Sequence, residues 1–182
     1  MKRHPSKIDF FRHSLGETEK AALAAALDSL FLTTGPQTRV FEETFAALFG
    51  ARHCVGLSSC TAGLFLTLKG WGIGQGDKVI VPAMTFVATA NAVLHTGAEV
   101  VFCDVDARTG LIDLDQVADL LWRNRTIRAI IPVHLYGHMV DMKRLRAIAD
   151  HYQVRILEDA AHCIEGARDG IKPSQLGDAA AF

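Results

Sequence analysis

Apolar residues recur first in steps of three and four along this chain, then in short unbroken runs. Leu23, Leu27, Leu30 and Phe31 share one side of a helix predicted over residues 17–32. Thr33-Thr34-Gly35-Pro36 breaks it. Val40, Phe41, Phe45, Leu48 and Phe49 mark a second amphipathic helix over 38–49, with Gly50 as its C-cap. The first sixteen residues read as irregular.

From His53 onward the pattern alternates. Strands are predicted at 53–57, 78–81, 100–105, 127–133 and 154–157. Helices are predicted at 61–71, 85–95, 113–123 and 141–152, with Asp113 as an N-cap. Residues 177–182 read as a turn entering a buried strand that stops in mid-course. Strands alternating with helices predict an α/β fold: three αβα layers around a mostly parallel sheet. Ligands of such sheets gather at the carboxyl ends of strands. That selects segments 58–62, 82–86 and 159–162, each placed after a predicted strand.

Composition changes this picture little. The 182 residues are 49% hydrophobic and 21% charged, which fits a folded chain of about one domain. A net charge of -1 gives no basic footprint for nucleic acid. The mean hydropathy, +0.19, implies apolar surface that something covers. Apolar runs such as 79–81 and 129–133 are too short to span a membrane, and no apolar signal core follows the basic start. A cytoplasmic protein is expected. Cys54, Cys60, Cys103 and Cys163 form no C-x-x-C pair and read as buried free thiols.

Each candidate segment carries chemistry beside a plainer alternative. Ser58-Ser59-Cys60-Thr61-Ala62-Gly63 opens a helix, where unpaired N–H groups and the dipole suit a phosphate; it also suits a simple Ser/Thr cap. Asp159, after the apolar 154–157 strand, can hold a proton on a ring nitrogen or cap the next turn. His162 can donate to a ligand oxygen or merely pack. Phe86 can stack on a flat ring or join the core.

Three other patterns fit less well. The glycines of residues 72–76 precede a strand instead of joining strand to helix, so a dinucleotide fingerprint fails its context. Gly56-Leu57-Ser58-Ser59-Cys60 approaches a nucleophile elbow but lacks its second glycine. His134, His138 and Asp141 have ligand-like spacing but straddle a loop, and no metal is expected.

Taken in order, these segments resemble a family. They are Thr33-Thr34-Gly35-Pro36, Ser58–Gly63, residues 74–82, Thr85-Phe86-Val87-Ala88-Thr89, Phe102–Asp106, residues 129–137 and Glu158-Asp159-Ala160-Ala161-His162. The set resembles the DegT/DnrJ/EryC1/StrS sugar aminotransferases, pyridoxal 5'-phosphate enzymes of the aspartate-aminotransferase fold. The likeness runs from about Phe10 to Phe182 and leans toward the lipid A aminoarabinose aminotransferase branch.

The resemblance implies a role for each position. Thr61 and Ala62 would hold the cofactor phosphate, Phe86 would stack on the pyridine, Asp159 would pair with its protonated nitrogen, and His162 would lie near the phenolic oxygen. Residues 1–182 would be the N-terminal part of the large, cofactor-binding domain, without the small C-terminal domain. The family's Schiff-base lysine would fall beyond Phe182, and Lys172 matches the surface hairpin before it instead. No catalytic residue is therefore expected in the chain, which would be inactive alone. The complete enzyme would be a cytoplasmic homodimer of polysaccharide biosynthesis. It would take an amino group from an amino acid, such as glutamate, to a nucleotide-linked ketosugar, without nucleic-acid or membrane partners. Two rivals stand beside this: a non-catalytic cofactor- or sugar-binding remnant, and a serine hydrolase using Ser58.

Overall fold

Val79, Ile80 and Val81 are consecutive and all sealed from solvent, which requires protein on both faces of their strand. The computed structural model describes residues 13–30, 32–33 and 35–182. Phe31 of the first expected helix, Thr34 of the break after it and the first twelve residues lie outside the described residues.

In chain order the elements are α1 (Glu17–Leu27), α2 (Pro36–Phe49), α3 (Cys60–Gly70), β1 (Lys78–Pro82), α4 (Val87–Thr96) and β2 (Glu99–Cys103). There follow α5 (Leu114–Arg123), β3 (Ile127–Ile130), α6 (Met142–Tyr152), β4 (Arg155–Asp159) and β5 (Ala179–Ala181). The strands pair in parallel in the order β2-β1-β3-β4-β5.

Strand alternation sorts the side chains into two cores. Val79, Val81, Ala129 and Leu157 meet Leu64 and Leu68 of α3 and Ala92 and Val93 of α4. Ile80, Ile130 and Ile156 meet Val117 and Leu121 of α5 and Leu145 and Ala149 of α6. These are the three αβα layers the pattern predicts. The same alternation sends Asp159 toward the α3–α4 side and Glu158 toward the other. Local chemistry fixes the helix starts: Ser59 accepts from the Ala62 N–H (3.1 Å), and Asp113 and Asp141 cap α5 and α6.

Several expected elements differ. Residues 53–57 form no strand; the Gly56 N–H donates to the Glu42 carboxylate (2.7 Å) instead of to a sheet neighbour. Segment 58–62 therefore follows an irregular stretch. The first helix ends at Leu27, and its apolar side is bare: Leu23 and Leu27 are each 64% exposed. Strand β3 stops at Ile130, because Pro132 has no N–H to give and Val133 makes only an isolated bridge to Asp159. Strand β2 stops at Cys103, and Val105 instead bridges Ile112. All four cysteines are free, but only Cys103 and Cys163 are buried; Cys54 and Cys60 are partly exposed.

Candidate active site

The carboxyl end of β4 delivers Asp159 into a cavity of about 180 Å³, although the side chain is only 6% exposed. Its two oxygens are held differently. Oδ2 accepts from the hydroxyl of fully buried Thr89 at 2.8 Å. Oδ1 receives a longer bond from the Ala161 N–H (3.3 Å) and a weak one from the Cys60 thiol (3.7 Å). A stronger donor entering the cavity would find Oδ1 the more available oxygen.

The N-terminal turn of α3 supplies Cys60 and Thr61 to the lining. Their backbone N–H groups find no acceptor among the described residues, while the Ala62 N–H is taken by Ser59. Burial first, and then the Asp159 carboxylate, push the Cys60 thiol up to about 12. It is therefore a neutral donor near pH 7. On another side Phe86, at the N-cap of α4, is 70% exposed and lines the cavity, so it is not a core residue. His162 also lines it and stacks on Tyr136, with ring centroids 5.6 Å apart and planes 9° from parallel.

The other face of β4 is polar in a different way. Glu158 is fully buried and accepts from His134 Nε2 (2.8 Å), the Ser174 N–H (3.0 Å) and the Gly177 N–H (2.7 Å). His134 is thereby engaged, His138 is exposed, and Asp141 caps α6. Among the described residues no group of three or more His, Cys, Asp or Glu side chains is arranged to hold a metal.

Thr61, Phe86, Asp159 and His162 thus share one cavity, and Ala62 lies beside it, half-buried. Thr89 and Cys60 are additional contacts of Asp159. For the former the sequence shows only a threonine three positions after Phe86, and its pairing with Asp159 comes from the fold. Ser58 is exposed and has no strand before it, so it lacks the strand–turn–helix context of a nucleophile elbow.

The model of the DegT/DnrJ/EryC1/StrS aminotransferase family matches residues 13–182. The chain belongs to this family. It is 40% identical over 168 residues to the spore coat polysaccharide biosynthesis protein SpsC of Bacillus subtilis (strain 168), covering 92% of this chain and 43% of that one. It is also similar to the solved structure of S. venezuelae DesV in complex with a ketimine intermediate, at 38% identity and a TM-score of 0.85. That match covers 90% of this chain and 43% of DesV. A Streptococcus pneumoniae protein assigned as a sugar aminotransferase, solved in its PLP form, is similar at 30% identity and a TM-score of 0.89. There the shares are 94% and 47%. The chain therefore spans less than half the length of these relatives. No described helix is long and apolar enough to cross a membrane.

Proposed function

We propose that these residues form the N-terminal part of the pyridoxal-phosphate-binding domain of an aminotransferase. The enzyme would transfer an amino group from an amino acid to a nucleotide-linked ketosugar. One observation carries the reading: a nearly buried carboxylate, Asp159, has one oxygen pinned and the other turned to a cavity beneath a helix N-terminus and an exposed aromatic ring. Family membership, and a relative named for polysaccharide biosynthesis, support it.

The residues fit the cofactor. The free N–H groups of α3 and the Thr61 hydroxyl suit a dianionic phosphate, which the helix dipole favours. Ala62 is small enough to leave that approach open. Phe86 offers an exposed ring face for stacking. Asp159 would hold a proton on the ring nitrogen through Oδ1. His162, steadied by Tyr136, would stand beside the ring's phenolic oxygen. When bound, the cofactor supplies an electron sink for the bond broken at the amino acid's α-carbon. No described lysine lines the cavity, so these residues would provide recognition and ring polarisation, and the amine that bonds the cofactor would come from outside this lining.

A homodimer in a reducing, cytoplasmic setting belongs to the same reading. It is supported by exposed apolar residues on α1 and on part of α2, where Leu23, Leu27, Val40 and Phe41 are all more than half exposed, and by four unpaired thiols.

Pyridoxamine phosphate, which cannot bond covalently to surface lysines, is the suitable probe. Titration followed by its own fluorescence should give saturable one-to-one binding to the 182-residue chain. Asp159→Asn should weaken it by about tenfold or more, the worth of one charge-assisted hydrogen bond. No saturable binding, or binding indifferent to Asp159→Asn, would overturn the reading.

A further inference from the structure

Thr89 has no exposed surface, yet its hydroxyl stands among three oxygens. Thr85 Oγ1 is 2.8 Å away, Asp159 Oδ2 2.8 Å, and the Phe86 carbonyl oxygen 3.1 Å. A hydroxyl has a single proton to give. An ionised carboxylate only accepts, and it is the strongest acceptor of the three. The Phe86 carbonyl already has a donor in the Thr89 backbone N–H (3.2 Å). The proton therefore goes to Asp159, and Thr85 donates in turn to Thr89. The result is a directed chain, Thr85 to Thr89 to Asp159, in which each bond polarises the next.

This chain joins two parts of the cavity that are far apart in sequence. Thr89 lies in the first turn of α4, three residues after Phe86 at the N-cap, and Asp159 ends β4. The one hydroxyl thus ties the helix that presents Phe86 to the carboxylate on the cavity floor. With Oδ2 occupied, rotation of the carboxylate is blocked and Oδ1 stays toward the cavity.

We propose that Thr89 is a positioning residue of the cofactor site, its hydroxyl holding the Asp159 carboxylate so that Oδ1 meets a protonated ring nitrogen. This rests on the pyridoxal-phosphate reading above. A residue that merely fills the core would affect all ligands alike. A residue that aims Asp159 matters only to ligands that have the ring nitrogen.

The test uses two probes on the 182-residue chain: pyridoxamine phosphate, and its carbocyclic analogue with CH in place of the ring nitrogen. Thr89→Val keeps the shape and removes the hydroxyl. It should weaken pyridoxamine phosphate by about tenfold and leave the analogue's affinity within about twofold, and Thr89→Ser should restore the difference. Thr85→Val, at a half-exposed position, should give a smaller loss with the same selectivity even if Thr89→Val does not fold. Equal losses for both probes, or no loss for either, would overturn the Thr89 assignment alone. Failure of the unaltered chain to bind pyridoxamine phosphate would overturn the cofactor reading and this assignment with it.

Discussion

His134 Nε2 lies 2.8 Å from Glu158 Oε2, and neither side chain has any exposed surface. The Val140 N–H donates to the other ring nitrogen, Nδ1 (3.3 Å), so the imidazole proton sits on Nε2 and is given to Glu158. The carboxylate thus fastens three pieces of backbone or side chain that converge behind the cavity: the loop after β3 and both ends of the turn at 174–177.

Glu158→Ala should therefore be severe. It leaves the fully buried His134 and two part-buried backbone N–H groups without their acceptor, and the expected cost is about 3 kcal/mol in urea unfolding. Gly177→Ala should be milder, about 1–3 kcal/mol, because an added Cβ would stand 2.5 Å from Glu158 Oε1 and 3.0 Å from the Ala179 carbonyl oxygen. An unfolding midpoint within error of the unaltered chain for Glu158→Ala would show that the buried carboxylate holds nothing together.

Cys60 should be a slow nucleophile despite lining an open cavity. Burial and the Asp159 carboxylate raise its thiol to about 12, so the reactive thiolate is scarce near pH 8. Its iodoacetamide alkylation, read by site-resolved mass spectrometry, should climb with pH beyond 10 without levelling. Asp159→Asn should speed it only in part, since burial is the larger cause. The same shift has a stability consequence. The fold favours the neutral thiol, so this contribution is complete below the unfolded thiol's ordinary value near 9. It is lost as pH rises from there toward about 12. Cys103, also pushed to about 12 chiefly by burial, adds to the same alkaline loss.

Gln153 ends α6 in the left-handed region, at φ 56°, on an exposed site. A side chain there is strained where glycine is not. Gln153→Gly should raise stability by up to about 1 kcal/mol, seen as a higher thermal midpoint. A lower midpoint would mean that the glutamine side chain does more than end a helix.

Most of the sheet was legible because both periods are strong where both faces are buried. Val79–Val81 and Ile156–Leu157 have protein on either side, so the run of apolar residues and the strand coincide. The misread pieces are those whose partners lie far off in sequence. Residues 53–57 have a strand's composition, but Glu42, not a neighbouring strand, takes the Gly56 N–H. Leu23 and Leu27 have helical spacing, but no described residue covers them, so periodicity could not show that this face is bare. At the cavity, Thr61, Phe86, Asp159 and His162 stand out by residue type at element ends. Thr89 does not: a threonine within a helix gains its meaning only when β4 brings a carboxylate to it. Glu158 was likewise masked by its neighbour, since only strand alternation separates the residue facing the cavity from the one fastening the loops behind it.

The register of β5 on β4, with Leu157 opposite Ala179 and Asp159 opposite Ala181, also sets an order of assembly. A nascent chain that has left the ribosome only as far as Tyr152 already contains α3 and Phe86, but the strand that carries Asp159 has yet to emerge. When β4 does emerge, one of its edges stays open until residues 179–181 arrive. Of the described residues that line the cavity, Asp159 thus joins after Thr61 and Phe86, and its strand is closed only by residues 179–181. A ligand that depends on Asp159 can act as a folding template only once that strand is paired, when contacts of long sequence separation close.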